Sequence, residues 1–166
     1  MSSLFYPRSA EAEAKTMQLR IDLHDDCFEP LHVLERWQAE LRHGGIADSA
    51  AQSLFIGRVR DTTTDGTPLE ALELEYYPGM TEQQLERLAL NCCNHHGVSH
   101  CLVQHRIGRV LPGEAIVLVA IGADRRGPAQ RCCQELLEAL KHDAPFWKRE
   151  WRADGTGTWL TGNTPL

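Results

Sequence analysis

Two hydrophobic periodicities alternate along this chain of 166 residues. Apolar residues recur at every second position in 17–23, 72–76 and 101–107, and residues 53–60 are rich in β-branched and aromatic side chains, so strands are predicted there. The apolar run AIVLVAI at 115–121 predicts a central strand that is buried on both faces. Two closing strands are predicted at 147–151 and 157–160.

Apolar residues at helical spacing predict three helices between these strands. Pro30 and Pro128 open the first and third helices, since proline suits a first helical turn. Thr81 and Gln84 have the spacing of a capping box at the start of the second helix, which ends before Gly97.

The predicted order is β-α-β-β-α-β-β-α-β-β, and its consecutive strands favour antiparallel pairing over a doubly wound parallel sheet. The predicted fold class is therefore α+β, with a mostly antiparallel sheet and three main helices. Residues 1–16 lack periodicity and are predicted to be a flexible tail. Residues 17–166 are predicted to form a single domain.

Composition and charge narrow the functional classes. The net charge of −6 argues against nucleic acid as the main partner. The longest apolar run has seven residues, whereas a membrane helix needs about 20, and no signal-peptide pattern opens the chain. We therefore expect a cytoplasmic protein whose six cysteines are reduced.

A cluster of potential metal ligands lies in the second helix and the strand after it. Its members are Cys92, Cys93, His95, His96, His100 and Cys101. Structural zinc sites usually place two ligand pairs on separate elements, whereas these cysteines fall at core-facing helical positions. Packing is therefore the favoured interpretation, and no metal site is predicted. No catalytic-cysteine signature surrounds any of the six cysteines.

Arginines stand in two places that suit an anion. Arg58 and Arg60 share one face of a predicted strand. Asp124, Arg125 and Arg126 precede the third helix, whose free N–H groups and dipole favour negative charge. A solvated charged surface explains both groups at least as well, so both interpretations stay open.

Lysine is scarce, with three residues against 14 arginines, and Lys141 and Lys148 lie close together in sequence. Lys141 falls in the last turn of the third helix, where a cation also stabilises the helix dipole. If both amines face one pocket, burial and mutual repulsion depress a lysine pKa and make that lysine usable as a base or nucleophile. The residues alone thus indicate an anion-binding α+β domain with a candidate catalytic lysine pair.

Five segments stand in the order and spacing of one known family. They are FIGRVR at 55–60, LEYYPGM at 74–80, HRIG at 105–108, PGE at 112–114 and APFWKRE at 144–150. Over residues 17–151 the chain resembles the large, catalytic subunit of molybdopterin synthase, the MoaE family. The resemblance implies an α/β-hammerhead fold and a homodimer within a heterotetramer.

The resemblance also implies a sulfurtransferase of molybdenum cofactor biosynthesis. In that family a small ubiquitin-like subunit carries a C-terminal Gly-Gly thiocarboxylate, and its tail enters a pocket of the large subunit as an extended segment. Sulfur passes to cyclic pyranopterin monophosphate, and two transfers make the molybdopterin dithiolene. No metal, organic cofactor, nucleic acid or membrane is expected to take part.

The family's motifs suggest roles for individual residues. Lys141 matches its key active-site lysine, which assists proton transfer or stabilises the intermediate. Lys148 matches a second lysine that holds the tail or substrate, with Arg149 and Glu150 beside it. The other expected substrate-binding residues are Arg58, Val59, Arg60, Asp124 and Arg125. Arg125 matches an arginine of the family's phosphate-binding pocket, which in the family is completed across the dimer interface.

Asp124 departs from the family, which commonly has histidine at this position. A carboxylate beside a bound anion costs about 4 kcal/mol for a close pair at an effective dielectric of 20. Three interpretations stay open. Asp124 turns away and orients Arg125, Arg126 supplies the missing positive charge, or the chain is a catalytically impaired paralogue that binds the partner without chemistry.

Overall fold

The computed structural model describes residues 16–63 and 65–161. Its helices are α1 (Pro30–His43), α2 (Met80–His96) and α3 (Arg126–Asp143). Its strands are β1 (Gln18–His24), β2 (Ala51–Arg58), β3 (Leu69–Tyr76), β4 (His100–Arg106), β5 (Gly108–Val110), β6 (Ala115–Ala123), β7 (Phe146–Arg152) and β8 (Gly157–Trp159). Apart from Thr16, the predicted flexible tail lies outside the described residues. No helix in the described ranges is long and apolar enough to cross a membrane.

The strands form two four-stranded sheets. The first has the order β1-β4-β6-β2, and the second has the order β5-β3-β7-β8. Strands β1 and β4 pair in parallel, whereas the other pairings between the named strands are antiparallel. The predicted α+β class with mostly antiparallel pairing and three helices is confirmed.

Helices cover both faces of the first sheet. Successive residues of β4 and β6 point alternately to these two faces. Leu102 and Leu118 pack with Trp37 of α1. Val103 and Val119 pack on the opposite face, against α2 and α3. Because β6 lies between β4 and β2 and is covered on both sides, its apolar run needs no polar face. The predicted central strand is confirmed.

The cysteines contribute to the core between α2, α3 and the first sheet. The buried ones are Cys92, Cys93, Cys101, Cys132 and Cys133. Packing as small hydrophobic residues is therefore confirmed for Cys92, Cys93 and Cys101. The six potential metal ligands noted in the sequence do not surround one point, since the ring of His100 contacts Trp37 on the α1 side of the sheet.

Two local predictions are wrong. Helix α2 begins at Met80, and its N-cap is Gly79, whose φ of +81° suits glycine. Glu82 accepts the Gly79 N–H at 2.7 Å, whereas Thr81 lies inside the helix and accepts the Tyr77 N–H. The Thr81–Gln84 capping box therefore does not form. Strand β5 was also missed, because its three residues are too few to show alternation.

Candidate functional site

A cavity of about 570 Å³ lies beside α3, from Gln130 to Lys141, where this helix meets strands β2, β4, β6 and β7. Lys141 from α3 and Lys148 from β7 both line it. The fold therefore brings to one pocket the two amines that the sequence singled out. Their chemical roles stay predictions.

A tight connection explains this arrangement. Helix α3 ends at Asp143, Ala144 is extended with φ of −75° and ψ of 131°, and β7 begins at Phe146. The chain thus passes from helix to strand within two residues, which places the last turn of α3 beside the start of β7. Alternation along β7 then puts Phe146 and Lys148 on the face that lines the cavity.

The cavity changes the acid–base behaviour of Lys148. Burial, and after it the nearby positive charge of Lys141, lowers the pKa of the Lys148 amine below its ordinary value. A larger share of this amine is therefore neutral near pH 7 than for a solvated lysine. Cys133 also lines the cavity. Its burial raises the pKa of the thiol, so Cys133 is held in the unreactive protonated form.

His105 is a third titratable residue on the cavity wall, and the sequence analysis did not select it. Its ring stacks on Phe146, with centroids 4.3 Å apart and planes 9° from parallel. Its Nδ1 donates to the Arg106 carbonyl at 2.7 Å, so Nε2 of the neutral ring is an acceptor. The available signal was a histidine at an inward-facing position of an apolar strand.

Burial lowers the pKa of His105 to about 4; the hydrogen bond to the Arg106 carbonyl opposes this shift, and the charge of Lys148 adds to it. Between about pH 4 and pH 6.5, this histidine is therefore protonated in the unfolded chain, where its pKa is near 6.5, but neutral in the folded chain. We expect the free energy of unfolding to fall as the pH drops from about 6.5 towards 4, by about 1.4 kcal/mol per pH unit from this group.

Urea unfolding at several pH values tests this expectation. His105→Gln should remove that part of the acid slope, whereas His32→Gln, at an exposed position on α1, should leave it unchanged. An identical slope in wild type and His105→Gln would contradict the assignment.

The predicted substrate-binding stretch at the end of β2 is divided between surface and core. Arg58 is exposed, and its guanidinium donates to the Gly113 carbonyl at 3.0 Å. Arg60 is also exposed, two residues beyond β2. Val59 packs in the core of the second sheet, and both its N–H and its carbonyl are bonded within the chain. The structure thus leaves the two arginines available to a ligand and gives Val59 a packing role.

Arg149 and Glu150 follow Lys148 on β7 but do not share its environment. Alternation turns Arg149 to the opposite face, where it lies over the rings of Trp151 and Trp159 and pairs with Glu73 at 2.9 Å. Glu150 is on the same face as Lys148, and burial raises the pKa of its carboxyl. Arg149 therefore has a structural role, whereas Glu150 lies on the Lys148 side of β7 without lining the cavity.

Asp124 and Arg125 lie at the other end of α3. Arg125 is the N-cap residue of this helix, and both side chains are exposed. The 16 residues from Arg125 to Lys141 correspond to about 24 Å along a helix axis. Within a single chain Arg125 and Lys141 therefore lie at opposite ends of α3, although the cavity wall extends along this helix to Gln130.

Comparison with known proteins shows the family of this chain. The sequence model of the MoaE protein family matches residues 28–143. The chain belongs to the MoaE family. A relative from Ralstonia nicotianae, named molybdopterin synthase catalytic subunit, is 42% identical to this MoaE chain over 117 residues. That alignment covers 70% of this chain and 65% of the relative's length.

Solved structures share the MoaE fold over most of this chain. A MoaE protein from Burkholderia ambifaria is 35% identical, with a TM-score of 0.68 over 91% of this chain and 93% of its own. A Helicobacter pylori structure, described as a protein–protein complex of subunits 1 and 2 of molybdopterin-converting factor, has a TM-score of 0.70 at 20% identity. It covers 88% of this chain and 94% of the matched chain, and at that identity it supports the fold alone.

Proposed function

We propose that this MoaE family member is the catalytic subunit of a cytoplasmic molybdopterin synthase. It transfers sulfur from the C-terminal thiocarboxylate of a small ubiquitin-like subunit to cyclic pyranopterin monophosphate, and two transfers form the molybdopterin dithiolene. The observation that carries this proposal is the meeting of Lys141 and Lys148 in one cavity. Family membership supplies the substrate class.

The cavity suits this chemistry for two reasons. Loss of sulfur from an acyl carbon develops negative charge, and a cation held in position beside the reacting atoms stabilises such charge. Lys141 is placed to stabilise that charge or to move a proton. The lowered pKa of Lys148 adds an amine that accepts a proton more readily than a solvated lysine does.

The partner's tail is proposed to enter this cavity along β2. Strand β2 is an edge strand of the first sheet, and its Leu54 and Phe55 are exposed apolar residues on the cavity wall. An extended peptide typically binds such an edge through its backbone and places alternate side chains in pockets. The Helicobacter pylori structure is described as a complex of two subunits, and the proposal extends such an arrangement to this chain.

A homodimer completes the proposed substrate site. Within a single chain, Arg125 and Lys141 lie at opposite ends of α3, about 24 Å apart along the helix axis. A second copy of the chain, placed so that its Arg125 approaches the first copy's lysines, supplies the phosphate contact. This arrangement matches the cross-interface phosphate pocket implied by the family resemblance.

Reconstitution tests the proposal. The purified chain is mixed with a small subunit bearing a C-terminal thiocarboxylate and with cyclic pyranopterin monophosphate, and molybdopterin is assayed. Product is expected with the thiocarboxylated subunit and not with the same subunit ending in a carboxylate. Tight subunit binding without product would contradict the proposal.

A second candidate function rests on Asp124. An impaired paralogue would bind the partner tail but form no product, because a carboxylate next to a phosphate raises the free energy of the complex. In the structure, Asp124 immediately precedes the N-cap of α3, where negative charge stabilises the helix dipole. That local role gives the residue a structural reason to be present in an active enzyme.

Asp124→Asn and Asp124→His separate the two candidates. In an active synthase we expect both changes to lower the KM for the pterin, about tenfold for each 1.4 kcal/mol of repulsion removed, with kcat little changed. Steady-state kinetics with saturating small subunit would measure this. An inactive wild type whose activity appears only in Asp124→His would instead establish the impaired paralogue. A raised KM in Asp124→Asn would show that Asp124 orients Arg125.

A further inference from the structure

Away from the lysine cavity, two histidines from α2 meet one carboxylate from α3. Nδ1 of His95 lies 3.2 Å from Glu135, and Nε2 of His96 lies 2.7 Å from the other oxygen of the same carboxylate. The three ligand-type atoms lie within 4.8 Å of one another. The pair of helices therefore presents two imidazoles and a carboxylate to a single point.

The end of α2 explains why neighbouring histidines converge. Consecutive helical residues normally point about 100° apart. Here the rings of His95 and His96 stack at the last turn with centroids 4.6 Å apart, and Gly97 follows in the left-handed conformation with φ of +62°. Tetrahedral zinc with bonds of about 2.0–2.1 Å holds neighbouring ligand atoms about 3.3 Å apart. Metal binding would therefore open the 2.7 Å contact of His96 with Glu135 by about 0.6 Å and close the widest separation, which is within 4.8 Å, by up to about 1.5 Å.

Cys92 lies four residues before His96 on the same face of α2, but it is buried and stands outside this group of converging ligand atoms. It packs in the core between α2 and α3. The three surface side chains therefore leave one position of a tetrahedral ion open.

We propose that His95, His96 and Glu135 form a binding site for Zn²⁺ that clamps α2 to α3. Two imidazole nitrogens and one carboxylate oxygen are ligand types that zinc prefers, and a water molecule would complete the tetrahedron. The sequence-based interpretation missed this set because Glu135 lies 39 residues beyond His96, outside any recognisable spacing. The alternative is a surface ion pair between two helices, which stabilises a protein by only about 0–1 kcal/mol.

Co²⁺ is the probe of choice, because its absorption reports both coordination geometry and sulfur ligation. The full-length chain, freed of metal with a chelator and kept reduced, is titrated with Co²⁺ and then with competing Zn²⁺. We expect one saturable equivalent and the visible bands of a tetrahedral ion, without a thiolate charge-transfer band. A thiolate charge-transfer band would show binding at a cysteine and overturn this ligand set.

Variants assign the ligands. His96→Ala and Glu135→Gln should weaken Zn²⁺ binding at least 100-fold, more than the 10–100-fold typical of losing a residue that only supports a ligand. His43→Ala is the matched control, since His43 is also an exposed histidine in a last helical turn, and its binding should equal wild type. Zn²⁺ should raise the Tm of wild type and His43→Ala but not of His96→Ala. Absence of saturable binding, or equal binding in all variants, would refute the site.

Discussion

Lys141→Ala is expected to lower kcat for molybdopterin formation by about 10²- to 10⁴-fold, the usual cost of losing a general acid or base. Lys141 lies in the last turn of α3 and is half-buried on the cavity wall, so the truncation removes an amine without opening the core. Binding of the small subunit should change little, because the substitution leaves the β2 edge that is proposed to hold the tail intact. Steady-state assays at saturating thiocarboxylated subunit give kcat directly.

Two further variants sharpen this test. Lys141→Arg keeps the positive charge but removes a group that can lose its proton, so it distinguishes charge stabilisation from proton transfer. His142→Ala, at the exposed neighbouring position, is the matched control and should retain wild-type activity. Near-full activity of Lys141→Ala would eliminate this lysine from the chemistry, and a change in subunit affinity alone would assign it to tail binding.

Arg106→Met is expected to lower the free energy of unfolding by about 3–5 kcal/mol, the range for breaking a buried ion pair from one side. Arg106 is only 3% exposed. Its guanidinium donates to the carbonyls of His24, Asp25 and Arg109 and pairs with Glu114 at 3.2 Å. Methionine fills the space of the stem but leaves three carbonyls and a carboxylate without this donor.

Urea unfolding measures the loss, and the chain contains a suitable control. Arg109 pairs with Glu70 on the surface, with both side chains nearly half exposed, so Arg109→Met should cost only about 0–1 kcal/mol. The comparison separates burial from the mere presence of an ion pair. Equal losses in the two variants would contradict the assigned role of Arg106 in joining β1, β5 and the turn before β6.

Hydrophobic periodicity was sufficient to predict the main helices and strands, because it reports which face of each element is buried. The run at 115–121 became the covered strand β6, and the apolar face from Leu85 onward became the inner face of α2. Periodicity does not report hydrogen bonds at an element's end. That is why α2 begins at Met80, where Gly79 adopts a positive φ, and not at the Thr81–Gln84 pair.

Site geometry was predictable only where local periodicity controls it. Alternation along β7 already separates Arg149 from Lys148, and the length of α3 already separates Arg125 from Lys141. The approach of Lys148 to Lys141 and the stacking of His105 on Phe146 depend on how α3 and β7 pack, which no local pattern records. Glu135 escaped notice for the same reason.

The half-buried position of Lys148 in the cavity also makes its amine a target for covalent ligands. Neutral amines, and not protonated ones, form Schiff bases with aldehydes, and the lowered pKa of Lys148 raises its neutral fraction. The cavity of about 570 Å³ falls within the size range of small-molecule sites. With only three lysines among 166 residues, an aldehyde-bearing ligand shaped for this cavity meets few competing amines elsewhere on the chain, so covalent inhibition can be selective.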